Sequence, residues 1–240
     1  MPEIDLARLA DGYEYRPPSD ATLERARRAG AELETASAIL DVGGGPGHHA
    51  EVWTGQGHHP IVLDPAADMT RPAVERGLVV VRAVAQALPF RDAVFDLVWF
   101  HLSIHYGDWR GAVDEAARVT RSGGRIEVWT LAADHHEASM LAMWFPSIPD
   151  LDRQRFPESA AVESYLGDRA PTVSLSSVVE HKTRAAGEWA AAAEAGFVST
   201  LQLVPADELA AGMAAFRAAY PDPTIQIDYE LRLDRIAATL

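Results

Sequence analysis

The chain reads as an α/β protein built on a doubly wound, mainly parallel sheet. Three features say so. Apolar runs alternate with helical stretches over residues 38–131. Two of those runs, Ile39-Leu40-Asp41 and Ile61-Val62-Leu63-Asp64, end in an acid. Between them lies Gly43-Gly44-Gly45-Pro46-Gly47. Strand, helix, strand, helix in that order requires crossover helices and parallel strands. A glycine-rich turn after the first strand lets the backbone approach a ligand closely, and the helix behind it offers N–H groups to that ligand.

The elements follow in order. The Ala- and Arg-rich segment 20–35 is expected to be helical, with Ser19 or Asp20 as N-cap; Arg25, Arg27 and Arg28 read as its solvated face. Strands are expected at 38–42, 60–64, 78–81, 95–100 and 125–131, the last after a turn at Ser122-Gly123-Gly124. Helices are expected at 47–56, 69–76 and 109–120. Past Leu131 the alternation stops, and 132–170 reads as irregular and rich in Pro, Met and aromatics. A strand at 172–179, helices at 185–195 and 206–220, and a strand near an edge at 225–233 close the chain.

The 240 residues, 48% hydrophobic, suit one large domain over 1–240. Its expected parts are a helical cap at 1–37, a cofactor-binding core at 38–131, a substrate-binding insertion at 132–171, and C-terminal strands and helices at 172–240. There is no cysteine, so no disulfide framework and no thiolate nucleophile. A net charge of −14 argues against a nucleic-acid partner. The acidic start lacks a basic n-region, and no apolar run is long enough to span a bilayer, so a cytoplasmic protein is expected.

The loop spacing separates two cofactor classes. A dinucleotide fingerprint needs G-x-G-x-x-G. Counting from Gly43 and Gly45 the third position is His48, and counting from Gly44 the second is Pro46, so both registers fail. The remaining pattern, D-x-G-x-G-x-G, resembles motif I of the class I S-adenosylmethionine (SAM) methyltransferases. Three further stretches are similar to the small-molecule, type-11-like branch of that family. They are Ala85-Gln86-Ala87-Leu88-Pro89-Phe90, Phe95-Asp96-Leu97-Val98, and Glu115-Ala116-Ala117-Arg118-Val119 followed by Gly123-Gly124-Arg125. The likeness covers roughly residues 10–131.

The resemblance implies a Rossmann-like, doubly wound seven-stranded sheet, mostly parallel with an antiparallel last strand and an insertion after strand 5. It implies SAM as cofactor, S-adenosylhomocysteine as product, and methyl transfer to O, N or C of a small organic molecule. Asp41, Gly43, Gly44, Gly45 and Gly47 would hold the methionine part. Asp64, with Pro65 beside it, would accept the ribose hydroxyls. Met69 matches a position near the adenine or ribose, or is a plain core methionine. Ala85 and Gln86 would border the adenine, and Phe100 and His101 would lie against the methionyl group. Tyr13 and Arg16 resemble an N-terminal pair, and Arg16 either binds the SAM carboxylate or is a surface arginine. Val84 departs from the pattern, which has an acid there to accept the adenine amino group; Gln86 could accept instead.

Methyl transfer requires a base only if the acceptor must lose a proton. Of nine histidines, His101 and His105 follow strand four and His135 follows strand five, which makes these the candidate bases. His-His pairs with Asp108, Asp134 and Glu137 form no closed ligand set, so no metal is expected. Met140, Met143, Trp144, Phe145 and Phe156 would line the acceptor pocket, with Arg153 and Arg155 meeting an acid group. A monomer or homodimer is expected. The alternatives are a SAM-binding protein without methylating activity, an NAD-type oxidoreductase, and a scaffold with a vestigial loop.

Overall fold

A computed structural model describes residues 4–6, 9–10 and 17–240. Tyr13 and Arg16 lie outside the described residues.

Helix α1 (Asp20–Ala31) is capped by Ser19, whose hydroxyl accepts the Thr22 N–H. Then come β1 (Ala38–Val42), α2 (His48–Gly55), β2 (His59–Leu63), α3 (Ala67–Glu75) and β3 (Val79–Val81). After them run β4 (Phe95–His101), α4 (Trp109–Val119) and β5 (Thr120–Leu131). The region expected to be irregular instead holds α5 (His135–Ala138), α6 (Met140–Trp144), α7 (Ile148–Arg155) and α8 (Ser159–Gly167). Its helices are short, and their caps are local: Ser139 Oγ accepts the Ala142 N–H at the start of α6. A long strand β6 (Thr172–Ala185), α9 (Ala186–Glu194), α10 (Ala206–Ala219) and β7 (Gln226–Thr239) complete the chain.

The strands order as β3-β2-β1-β4-β5-β7-β6. The first five are parallel neighbours. Strand β7 runs antiparallel to β5, since Gly123 meets Leu240 while Ala132 meets Arg232. It runs antiparallel to β6 as well, with Ser177 bonded to Asp234 and Thr183 to Asp228. The order reverses between β1 and β4, which opens a crevice at their carboxyl ends.

Two expectations are corrected here. The turn at 122–124 is part of β5, because Gly123 and Gly124 find backbone partners in Leu240. Strand β7 is interior and β6 is the edge. The polar residues that made β7 look like an edge are satisfied within the fold, Asp228 by Thr183 of β6 and Arg232 by Asp134 and Glu230.

The chain divides into two compact units. One comprises 18–130, 156–177 and 234–240; the other comprises 131–155 and 178–233 with the described residues before 18. Strands β6 and β7 each pass from one unit into the other.

In the first unit, strand alternation sorts side chains to two faces. Leu40, Val42, Val98, Phe100, Ile126 and Val128 pack with Ala112, Val113, Ala116 and Val119 of α4. The opposite face carries Asp41, Trp99, His101, Glu127 and Trp129, and the rings of Trp53 and His49 from α2 pack on Trp99. The second unit has its own core, with Phe145, Trp189 and Phe216 at its centre.

Candidate functional site

The glycine loop is stitched to the end of β2. The N–H groups of Gly43 and Gly44 both donate to the Leu63 carbonyl, at 2.7 and 3.3 Å. Gly43 has φ 70°, and a Cβ there would stand 2.5 Å from the Ser103 Cβ. Ser103 in turn donates from Oγ to the Val42 carbonyl, at 2.6 Å. Gly45, φ 47°, faces the Met69 methyl and the Asp64 carboxylate. Arg76 donates to the Pro46 carbonyl and to Glu51, tying the far side of the loop to α2 and α3.

Two acids meet this loop. Asp64 is 7% exposed, and its two oxygens accept the Gly45 N–H at 3.2 Å and the Ala66 N–H at 2.9 Å. Burial pushes its carboxyl above the usual range, against the pull of those two N–H groups. Asp41 is 1% exposed, and its Oδ2 has no hydrogen-bond partner among the described residues. The nearest ring nitrogen is Nδ1 of His49, at 3.7 Å. The structure therefore brings Asp41, Gly43, Gly44, Gly45, Gly47, Asp64 and Met69 together. Pro65 is exposed at the rim, and its carbonyl accepts from Arg82.

The segment after β3 is held by α4. Glu115 accepts the Leu88 N–H, and Arg118 donates to the carbonyls of Leu88 and Phe90 and to Glu115. The E-x-x-R pair thus clamps the Leu-Pro-Phe stretch. Replacing Arg118 by alanine is expected to lower Tm by a few degrees, read by circular dichroism. Gln86 donates from Nε2 to the carbonyls of Tyr106 and Asp108, so Oε1 is its remaining acceptor. Ala85 is half-buried beside it, and Val84 is 47% exposed.

Phe100 is corrected. Its ring is 0% exposed and belongs to the α4-side core, because alternation turns it away from the face that carries His101. Arg25 is corrected too. It points inward, donating from Nη2 to Thr22 Oγ1 and sharing a 3.1 Å hydrogen bond with His101 Nε2, with its guanidinium 4.8 Å from the Trp129 ring. The His101 ring stands edge-on to His49, 4.8 Å between centroids. His105 is 4% exposed and packed between Tyr106 and Phe156.

His135 belongs to the second unit. Its Nδ1 accepts the Arg232 N–H, and burial, with His136 adding to it, lowers its pKa to about 4. The imidazole is thus neutral, and its Nδ1 lone pair is engaged. Between about pH 6.5 and 4 the unfolded chain binds a proton that the native state refuses, so stability falls as pH drops through that window. The buried Asp152, whose carboxyl is pushed up, works in the opposite sense. Urea unfolding across this range is expected to show an acid limb that His135→Gln flattens.

The second unit also corrects the expected acceptor lining. Met143 is 70% exposed. Arg153 pairs with Glu137 and Asp150 at the surface. Arg155 is buried on the hydroxyls of Ser199 and Thr200. Among the described residues, no three His, Cys, Asp or Glu side chains form a metal-ligand group, and no helix is long and apolar enough to cross a membrane.

Comparison with known proteins bears on this geometry directly. Residues 40–128, from β1 to within β5, match the family model described as a methyltransferase domain. Over that stretch the chain is similar to methyltransferase domains. Over 112 residues the chain is 38% identical to a malonyl-[acyl-carrier protein] O-methyltransferase of Erwinia billingiae, covering 45% of this chain and 44% of that protein. It is 34% identical over 142 residues to the O-methyltransferase resE of Aspergillus sclerotiorum, covering 52% and 54%. The chain spans about half the length of the curated relatives it matches. Among solved structures, the YcgJ protein of Bacillus subtilis superposes with a TM-score of 0.64 at 19% identity, over 92% of this chain and 99% of that one. A phosphoethanolamine N-methyltransferase 2 of Haemonchus contortus, solved with S-adenosyl-L-methionine, gives 0.61 at 15% identity over 96% and 56%. At such identities these likenesses speak for the fold alone.

Arg25, His49, Ser103 and Arg76 are the site residues that sequence reasoning missed. Arg25 and His101 are 76 positions apart, and no motif joins them. Ser103 shows only as the contact that requires Gly43.

Proposed function

We propose that this protein is a SAM-dependent methyltransferase acting on a small organic acceptor. The reading rests on one arrangement, a glycine loop open to close approach with a buried carboxylate on either side of it. The residues fit the cofactor. Asp41 Oδ2 is a buried acceptor with no hydrogen-bond partner among the described residues, suited to an ammonium group. The Gly45 position is a cradle that a Cβ would fill toward Met69 and Asp64. Asp64 has lone pairs left, beyond its two N–H bonds, for a ribose diol. Gln86, its Nε2 engaged, keeps Oε1 as an acceptor that could answer the adenine amino group in place of the family acid that Val84 replaces.

When bound, SAM supplies a methyl group already activated by sulfonium. The chain's own task is alignment and exclusion of water. Asp41 would hold the amino-acid end and Asp64 the sugar, with the Met69 methyl beside Gly45. The names of the relatives favour oxygen as the atom methylated. The same names leave room for an acceptor carried on an acyl-carrier protein. A net charge of −14 disfavours a nucleic-acid acceptor. Titrating the purified protein with S-adenosylhomocysteine in a calorimeter tests the reading. Saturable heat at one site is expected, and its absence, with NAD binding in its place, would overturn the proposal.

A further inference from the structure

The hydrogen bond between Arg25 and His101 has only one possible direction. A guanidinium has five N–H donors and no acceptor. Arg25 Nη2 lies 3.1 Å from His101 Nε2, so Nε2 must offer its lone pair. A histidine that accepts at Nε2 carries its proton on Nδ1 and is the neutral imidazole. Its basic lone pair at Nε2 is then spent on arginine.

Arg25 is held for this task on two further sides. Thr22 Oγ1, one helical turn before it, accepts from the same Nη2 at 3.1 Å. The guanidinium plane packs on Trp129, with Cζ 4.8 Å from the ring centroid. Helix α1 is itself pinned where Trp53 Nε1 of α2 donates to the Ala26 carbonyl at 2.7 Å, in the residue after Arg25. The His101 ring lies parallel to Trp99, 5° between planes, and edge-on to His49. Both partners therefore have their orientation fixed by packing, not only by the bond between them.

We propose that Arg25 is a positioning residue that locks His101 as the neutral Nδ1–H tautomer. His101, at the end of β4, is thus not a general base at Nε2. The proposal deepens the methyltransferase reading and rests on it for its chemical meaning: the acceptor arrives with its nucleophilic pair available, and no proton passes to His101. The O–CH₃ or N–CH₃ bond forms as the S–CH₃ bond breaks, and its electron pair goes to sulfur.

Long-range ¹H–¹⁵N spectra of the full chain, recorded above the histidine titration range, read the tautomer directly. Wild-type His101 should show a protonated Nδ1 and an acceptor-type Nε2. Arg25→Met should move the population toward Nε2–H by about tenfold or more, as expected for loss of a hydrogen bond from a charged donor. Arg25→Lys, which keeps a cationic donor, should retain much of the wild-type pattern. An Nε2–H tautomer in the wild type would overturn the proposal, and so would an unchanged pattern in Arg25→Met. The wild-type spectrum decides the point even if Arg25→Met fails to fold. Calorimetry with S-adenosylhomocysteine on the same samples separates the two ideas: an Nδ1–H tautomer without binding would sink the methyltransferase reading and leave the arginine–histidine lock standing.

Discussion

Replacing Asp64 by alanine should weaken S-adenosylhomocysteine binding by about 10²–10⁴-fold. Two hydrogen bonds from a ribose diol to a carboxylate are worth about 1.5–3 kcal/mol each, which sets that range. A second effect adds to it. The Asp64 oxygens also accept the N–H groups of Gly45 and Ala66, and without them those donors are left buried at the loop itself. The cradle that binds and the group that recognises the sugar are thus built by one side chain. Asparagine should be nearly as damaging, because its NH₂ would have to face one of the two N–H donors. Thermal unfolding of each variant separates a lost binder from a lost fold. A folded Asp64→Ala protein that binds within a few-fold of wild type would remove Asp64 from the site.

Gly43→Ala should destabilise the protein by about 2–5 kcal/mol. A left-handed φ costs an L-residue about 1–2 kcal/mol, and forcing a methyl into filled space costs about 1–3 kcal/mol more. The second part has a single source, since the new Cβ would meet the Ser103 Cβ at 2.5 Å. Ser103→Gly in the same chain should therefore recover part of the loss. It should not recover all of it, because the φ strain remains and the Ser103–Val42 hydrogen bond is gone, a further ~1 kcal/mol. A urea double-mutant cycle measures the coupling. Additive effects within about 0.5 kcal/mol would mean that the two residues do not touch.

The parallel core was legible because its signals are local. Apolar runs at regular intervals, the first two ending in an acid with glycines between them, leave few alternatives for β1, β2 and β4. Gly43, Gly45, Asp41 and Asp64 were found for the same reason, since each lies within a few residues of the strand end that positions it. The edge assignment of β7 failed because an alternating strand looks the same at an edge as it does beside a strand whose side chains answer its polar ones. Asp228 needed Thr183 of β6, 45 positions away, to show which.

The histidines mark the same boundary. Sequence placed His101 and His105 after β4 and His135 after β5; in the structure His101 is the last residue of β4, and the other two lie beyond their strands. It could not say that Arg25 spends the His101 lone pair, that Tyr106 and Phe156 enclose His105, or that a backbone N–H engages His135. What the chain by itself determined is the sheet, the loop and the two acids, all products of short-range periodicity and turn chemistry. What the tertiary structure alone decided is protonation and access. These depend on which distant donor meets which lone pair, and on how deeply each group is buried.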